Sequence, residues 1–93
     1  IIHYNTSADL DRCLESLAAY PPTTDHQIVV VDNASVDPGL MSVHERFPAC
    51  HWLFNSENFG YSKGCNLGMA AVPADFYLIL NPDIVVQPGA LDR

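Results

Sequence analysis

Apolar, mostly β-branched runs alternate with helical patterns along this chain, and this alternation constrains the fold more than any other feature. Residues 28–31 (IVVV) and 76–80 (FYLIL) have no charged or amide side chain among them, as in strands buried on both faces. Apolar positions between residues 10 and 18 fall on one helical face. Alternating strands and helices predict βαβ units and a mostly parallel sheet. The expected fold is therefore a three-layer α/β/α, Rossmann-like domain.

Shorter signals complete this outline. Further extended segments are predicted at residues 1–4, 52–54 and 84–86, and a third helix at residues 62–71. Thr6 and Asp9 have the spacing of a capping box for the first helix. Asp37 and Pro38 resemble an N-cap followed by proline at the first helical position.

Length, charge and cysteine content exclude several classes of protein. The 93 residues allow one domain, and the formal charge of −7 with four basic residues argues against nucleic-acid binding. A phosphate-bearing ligand would need a metal ion or backbone amides to offset this acidity. Three cysteines without a C-x-x-C pair support neither a disulfide scaffold nor a zinc site, and predict reduced thiols in a cytosolic protein.

Polar residues follow each predicted strand, and the carboxyl ends of parallel strands meet where ligands bind. Asp32 ends the 28–31 strand and could accept a hydrogen bond from a ribose or a base, although aspartate is also a common turn residue. Asp83, in Asn81-Pro82-Asp83, could offer an oxygen ligand to a divalent cation, although this tripeptide is also a turn signal. For Asp32 and for Asp83, the residues alone are compatible with a ligand-binding role and with a turn-forming role.

A glycine-rich segment, residues 58–68, follows the third predicted strand. Gly64 and Gly68 share a helical face, which permits close approach to the sheet or to a ligand, and packing alone is favoured for Gly68. Dinucleotide (G-x-G-x-x-G), Walker, zinc-protease and hydrolase-elbow motifs are all lacking. The four histidines are interpreted as ordinary core or surface residues.

The strand-end motifs together, in this order and spacing, resemble glycosyltransferase family 2, in particular its rhamnosyltransferase-like branch. They are Tyr4-Asn5, residues 30–37 (VVDNASVD), residues 58–68 (NFGYSKGCNLG) and Leu80-Asn81-Pro82-Asp83. The resemblance covers essentially all 93 residues. It implies the nucleotide-binding half of a GT-A fold. It also implies inverting transfer of a sugar from a UDP- or dTDP-sugar to a saccharide or lipid-linked saccharide, as in polysaccharide biosynthesis.

The resemblance also implies roles for individual residues. Tyr4 would lie against the nucleotide base, and Asp32 would accept a hydrogen bond from that base, uracil or thymine. Asn81-Pro82-Asp83 takes the place of the family's D-x-D motif, so Asp83 would bind Mg²⁺ or Mn²⁺. Asparagine at position 81 can hydrogen-bond a ribose but brings no charge. The residues expected near the ribose and diphosphate are Asn58, Gly60, Gly64 and Asn66.

The family's general base lies well beyond its D-x-D motif, so it is expected beyond residue 93. Residues 1–93 are accordingly interpreted as the truncated N-terminal, donor-binding part of an enzyme and as inactive alone. The parent is expected in the cytoplasm, with peripheral attachment to the inner face of a membrane left open. A non-catalytic nucleotide-binding or interaction module is the main alternative. A sugar-nucleotide pyrophosphorylase is less favoured, because Asn5-Thr6-Ser7 replaces the glycine-rich basic loop expected there.

Overall fold

The computed structural model describes residues 1–92 and confirms an α/β fold with a parallel three-stranded sheet. In chain order the elements are β1 (Ile2–His3), α1 (Ser7–Ala19), β2 (Val29–Asp32), α2 (Leu40–Arg46), β3 (His51–Phe54) and α3 (Tyr61–Ala71), followed by a 3₁₀ turn at Ala90–Asp92. None of the helices in this part of the chain has the length and apolarity needed to cross a membrane.

The strands lie in the order β1-β2-β3, with β2 in the centre. His3 pairs with Asp32, and Asp32 pairs with Phe54 on the other side. All three strands therefore end at the same level. This register places the segments that follow β1, β2 and β3 along one edge of the sheet, which we call the carboxyl edge.

Helices cover both faces of the sheet, which explains the lack of polar alternation in β2. Val30 is fully buried in a core formed with α1 and α2, whose contributing side chains are Leu10, Cys13, Leu14, Leu17, Leu40 and Val43. Val31 points to the opposite face, where a Cβ on Gly68 of α3 would lie 3.0 Å from its Cγ2 atom. The predicted three-layer arrangement is present.

The predicted fourth strand at residues 76–80 is wrong. This segment has no strand structure, and Phe76 and Leu78 are 92% and 68% exposed. An open apolar cleft of about 840 Å³ separates it from Ile1, Ile2 and α3, and none of the predicted site residues lines that cleft. An apolar run indicates a preference for burial, but a strand also needs a partner in register. The neighbouring edge strand, β1, is only two residues long.

Residues 84–86, predicted as extended, form no strand either. They pack against α1 instead: Val86 is buried, and its N–H donates to the Ser16 hydroxyl at 2.9 Å. The Ser16 hydroxyl in turn donates to the Cys13 carbonyl at 2.7 Å. A helix side chain thus replaces a neighbouring strand as the hydrogen-bond partner of this segment.

The capping box predicted for α1 is also wrong, because its hydrogen bonds do not form. Thr6 is the N-cap residue, but its side chain makes no capping hydrogen bond. Asp9 instead forms an ion pair with Arg12 one turn further along the helix. The N-terminus of α1 is capped by a side chain distant in sequence, which belongs to the polar edge described next.

Candidate functional site: a polar network at the carboxyl edge

Polar side chains from three loops interlock at the carboxyl edge, and several are almost completely buried. His3, Asp32 and Asn33 are 0%, 2% and 3% exposed. Residues of these types are rarely buried without partners, because an unsatisfied polar group costs free energy. We call the following side chains the edge network: His3, Asn5, Asp32, Asn33, Ser35, Asp37 and Asn55.

Asp32 lies at the centre of the edge network. Its Oδ1 atom is 2.8 Å from Nδ1 of His3 and accepts the Ser35 hydroxyl at 2.6 Å. Its Oδ2 atom accepts the Ser35 N–H at 3.0 Å. A carboxylate has about four acceptor positions, so these contacts leave one position, on Oδ2. Asp32 therefore links the ends of β1 and β2 through hydrogen bonds and can accept one more hydrogen bond.

Asn5 joins the loop after β1 to the loop after β2. Its side-chain Oδ1 accepts the N–H groups of Val36 and Asp37 at 2.8 and 3.2 Å, and its own N–H donates to the Ser35 hydroxyl at 2.8 Å. Asn5 and Ala34 both have positive φ angles, 52° and 62°. Asparagine tolerates this left-handed conformation well, whereas alanine adopts it only under constraint. The two loops are held in one arrangement.

The Asp37 carboxylate caps α1 and also binds the turn that leads into α2. Its Oδ2 atom accepts the N–H of Ser7, the first residue of α1, at 2.9 Å, and its Oδ1 atom accepts the Gly39 N–H at 3.0 Å. The N-cap residue of α2 is Gly39 and not Asp37, so the predicted cap position is wrong by two residues, although the Asp37 side chain still binds the turn that enters this helix. A negative charge at a helix N-terminus is stabilising. The hydrogen bonds from Ser7 and Gly39 lower the pKa of the Asp37 carboxyl below its ordinary value.

This lowered pKa predicts a pH dependence of stability. A carboxylate whose pKa is depressed on folding stabilises the protein above its unfolded pKa of about 3.9, and the contribution is lost as the pH falls through the lower folded value. We therefore expect Asp37→Asn to be less stable than the wild type at neutral pH, with the difference shrinking in acid below about pH 4. Urea unfolding at several pH values measures it. Asp25→Asn, which removes an exposed carboxylate, is the control. The stability difference between this variant and the wild type should be the same at every pH.

Asn33 attaches the loop after β3 to the same edge. Its Nδ2 group donates to the Gly60 carbonyl at 3.3 Å, and its Oδ1 atom accepts from Nδ2 of Asn55 at 2.9 Å. Gly60 has a φ of 83°, a conformation that glycine adopts without strain, and its N–H donates to Oδ1 of Asn58 at 2.8 Å. The predicted site residues Asn58 and Gly60 are thus held beside Asp32 through its neighbour Asn33.

The other predicted donor-site residues differ in their surroundings. Tyr4 directly follows β1 and is 48% exposed. Asn66 is exposed on α3. Gly64 faces the sheet, where an added Cβ would lie 3.1 Å from Cγ2 of Ile2 and 3.4 Å from Nδ2 of Asn33. Gly64 therefore lets α3 approach β1 closely.

Asn81 and Asp83 lie in a turn, as their sequence predicts. The Asn81 carbonyl accepts the Ile84 N–H at 3.1 Å, and its side-chain Oδ1 accepts the Tyr61 hydroxyl at 3.3 Å. This contact brings the turn to the N-terminal residue of α3. Asp83 is exposed. Burial, and to a smaller extent the charge of Asp83, raises the pKa of the Cys13 thiol, whereas the N-terminal ammonium lowers it.

No group of three or more histidine, cysteine, aspartate or glutamate side chains within residues 1–92 could by itself enclose a metal ion. Asp83 is a single exposed carboxylate. Magnesium is commonly held by one or two carboxylates together with substrate phosphates and water. The residues present therefore fit an ion shared with a phosphate ligand and do not fit a closed protein site.

Sequence reasoning missed the buried members of the edge network. His3, predicted as an ordinary core or surface residue, is buried, and its contact with Asp32 is the feature that the sequence does not predict. Asn33 and Ser35 belong to the strand-end motif at residues 30–37 without a role predicted for either, and Asp37 is predicted as a local cap. One available signal was the concentration of Asn, Asp, Ser and Thr directly after the first two strands.

Comparison with known proteins identifies the family. A search of curated protein sequences found no match. The family model described as Glycosyl transferase family 2 matches residues 1–93, which is the whole of this sequence. The match includes the parallel sheet, the edge network and the turn that carries Asp83. The chain belongs to glycosyl transferase family 2.

Proposed function

We propose that residues 1–93 form the N-terminal, donor-binding part of an inverting glycosyltransferase that uses a UDP- or dTDP-sugar with Mg²⁺ or Mn²⁺. The acceptor hydroxyl belongs to a saccharide or a lipid-linked saccharide, and rhamnose or another hexose is the transferred sugar. The observation that carries the proposal is the family match over the full sequence, combined with a polar network at the sheet edge where ligands of parallel α/β proteins bind.

The base binds at the end of β1 and β2. Uracil and thymine each present an imide N–H donor, which matches the remaining acceptor position on Oδ2 of Asp32. Tyr4 offers an exposed aromatic ring one residue beyond β1. Since Asp32 is only 2% exposed, this contact requires the base to enter between the loops that Asn5 and Ser35 hold together.

The diphosphate binds near the start of α3. A helix N-terminus attracts anions through its free N–H groups and its dipole. Lys63 lies in the first turn, with its Nζ atom 4.3 Å from the centroid of the Phe59 ring. Arg12 and Arg46 are paired with carboxylates, whereas Lys63 has no carboxylate partner among residues 1–92. In a chain of net charge −7, this free cation favours a diphosphate at that position.

The metal ion binds at the turn after residue 80. Asp83 supplies a carboxylate ligand, and the amide of Asn81 hydrogen-bonds the ribose. When bound, the ion acts as a Lewis acid that stabilises the negative charge of the departing nucleoside diphosphate. The general base that deprotonates the acceptor is assigned outside residues 1–93, and a cytoplasmic parent agrees with the three free cysteines.

Nucleotide titration with and without Mn²⁺ tests this proposal. We expect UDP or dTDP to bind at least about tenfold more tightly with Mn²⁺, a difference of about 1.4 kcal/mol. Asp83→Asn should abolish that gain because it removes the charged oxygen ligand. The matched control is Asp75→Asn, which changes another exposed aspartate of the same region and should keep the gain.

Metal-independent binding that is equal in the wild type and in Asp83→Asn would contradict the metal assignment. The alternative function, a non-catalytic nucleotide-binding module, predicts nucleotide binding without sugar transfer in the complete parent protein. Transfer of the sugar by the parent to a saccharide acceptor distinguishes the enzyme from this module.

A further inference from the structure

His3 is the most enclosed titratable side chain of the edge network, and both of its ring nitrogens are engaged. Its exposed fraction is 0%. Nδ1 lies 2.8 Å from Oδ1 of Asp32 and 3.3 Å from the Ser35 hydroxyl oxygen. Nε2 accepts the backbone N–H of Thr6 at 3.0 Å. The ring therefore connects the carboxylate at the end of β2 to the backbone at the start of α1.

These contacts determine the tautomer of the ring. A backbone N–H can only donate, so Nε2 must carry a lone pair. In the neutral ring the proton then resides on Nδ1, where it is donated to Asp32. The geometry also excludes a proton relay from Ser35 through His3. The Ser35 hydroxyl donates to Asp32, the ring nitrogen nearest to it (Nδ1) already carries a proton, and Nε2 accepts the Thr6 N–H.

The contact with His3 restricts the orientation of the Asp32 carboxylate. His3 and Ser35 both engage Oδ1, so the plane of the carboxylate is set and the unused acceptor position stays on Oδ2. Without the His3 donor, only the two hydrogen bonds from Ser35 would hold the carboxylate, and its plane could tilt about them. A ligand would then meet an acceptor that is no longer held in one direction, which weakens binding through lost preorganisation.

We propose that His3 is a positioning residue for nucleotide binding: its Nδ1–H group holds Asp32 so that Oδ2 can accept a hydrogen bond from the donor base. This role rests on the proposed function. It assigns to His3 no contact with the nucleotide and no part in bond making. His3 contributes a fixed proton donor, supported by the first turn of α1 through Thr6.

Two variants of nearly equal shape test the role. Asparagine and leucine both remove the Nε2 acceptor, but His3→Asn places an amide N–H near the position of Nδ1, whereas His3→Leu has no donor. We expect His3→Leu to bind UDP or dTDP with Mn²⁺ about tenfold more weakly than the wild type, since a hydrogen bond to a carboxylate is lost. His3→Asn should recover most of this loss. Far-UV circular dichroism and thermal unfolding verify that both variants are folded.

A second measurement uses the wild type and does not depend on the variants. Long-range ¹H–¹⁵N spectra of histidine-labelled protein at neutral pH should show His3 protonated on Nδ1 and unprotonated on Nε2. The opposite tautomer would overturn the inference, as would equal nucleotide affinity of folded His3→Leu and His3→Asn. If the wild type bound neither UDP nor dTDP, the proposed function and this role would both be overturned. Wild-type binding with unaffected His3 variants would overturn the positioning role alone.

Discussion

Replacing Asp32 with alanine is expected to lower the free energy of unfolding by about 1–3 kcal/mol, the cost of leaving a buried hydrogen-bonding group without its partner. Three hydrogen bonds end on this carboxylate, from His3, from the Ser35 hydroxyl and from the Ser35 N–H. Alanine would leave the fully buried His3 donor without its partner. Such bonds are not additive within one network, so the loss is smaller than their sum.

Urea unfolding followed by circular dichroism measures this loss. Asp25→Ala is the matched control, because it removes a solvent-exposed aspartate and should change stability by less than about 0.5 kcal/mol. A loss below about 1 kcal/mol for Asp32→Ala would contradict the buried network. Should Asp32→Ala fail to fold, Ser35→Ala removes only part of the same network and should lose about 1–2 kcal/mol.

Gly68→Ala is expected to destabilise the protein by up to about 2 kcal/mol, although alanine is the better helix former. The added Cβ would lie 3.0 Å from Cγ2 of Val31. Val31 is fully buried in the central strand, so it has little room to move. Overpacking of this kind costs about 1–3 kcal/mol, which equals or exceeds the gain of about 1 kcal/mol in helix propensity.

Ala70→Gly calibrates the propensity part of this prediction. Residue 70 is exposed on the same helix, so its substitution should cost about 1 kcal/mol through backbone entropy alone. Thermal and urea unfolding of the two variants separate packing from propensity. A more stable Gly68→Ala would show that α3 can move away from the sheet, and that the glycine is not required for packing.

Much of the fold was predictable from local pattern. The β-branched run at residues 28–31 corresponds to β2 (Val29–Asp32), and the helix predicted at residues 62–71 corresponds to α3 (Tyr61–Ala71). Residues 76–80 have the same apolar character but form no strand. Periodicity reports a preference for burial, whereas strand formation also depends on a neighbouring strand that the segment itself does not specify.

The candidate site was predictable in position but not in construction. The rule that ligands bind at the carboxyl ends of parallel strands placed Asp32 correctly at this edge. It did not reveal that His3 holds Asp32 across 29 positions, or that Asp37 caps α1 across 30 positions. Turn and capping rules compare residues a few positions apart, so they predict a local cap for Asp37 and a turn only as one alternative for Asp32.

The sequence by itself determined the alternation of strands and helices, the family, and the level in the sheet at which polar residues gather, because these follow from local periodicity and from motif order. Tertiary structure alone decided which of those polar groups are buried and which remain available to a ligand. Parallel pairing of β1 with β2 sets His3 opposite Asp32, and burial then obliges every donor and acceptor there to find a partner. The chain's charge of −7 indicates that a phosphate ligand would need a metal ion or backbone amides to offset the acidity. The fold shows that Lys63, at the start of α3, has no carboxylate partner among residues 1–92.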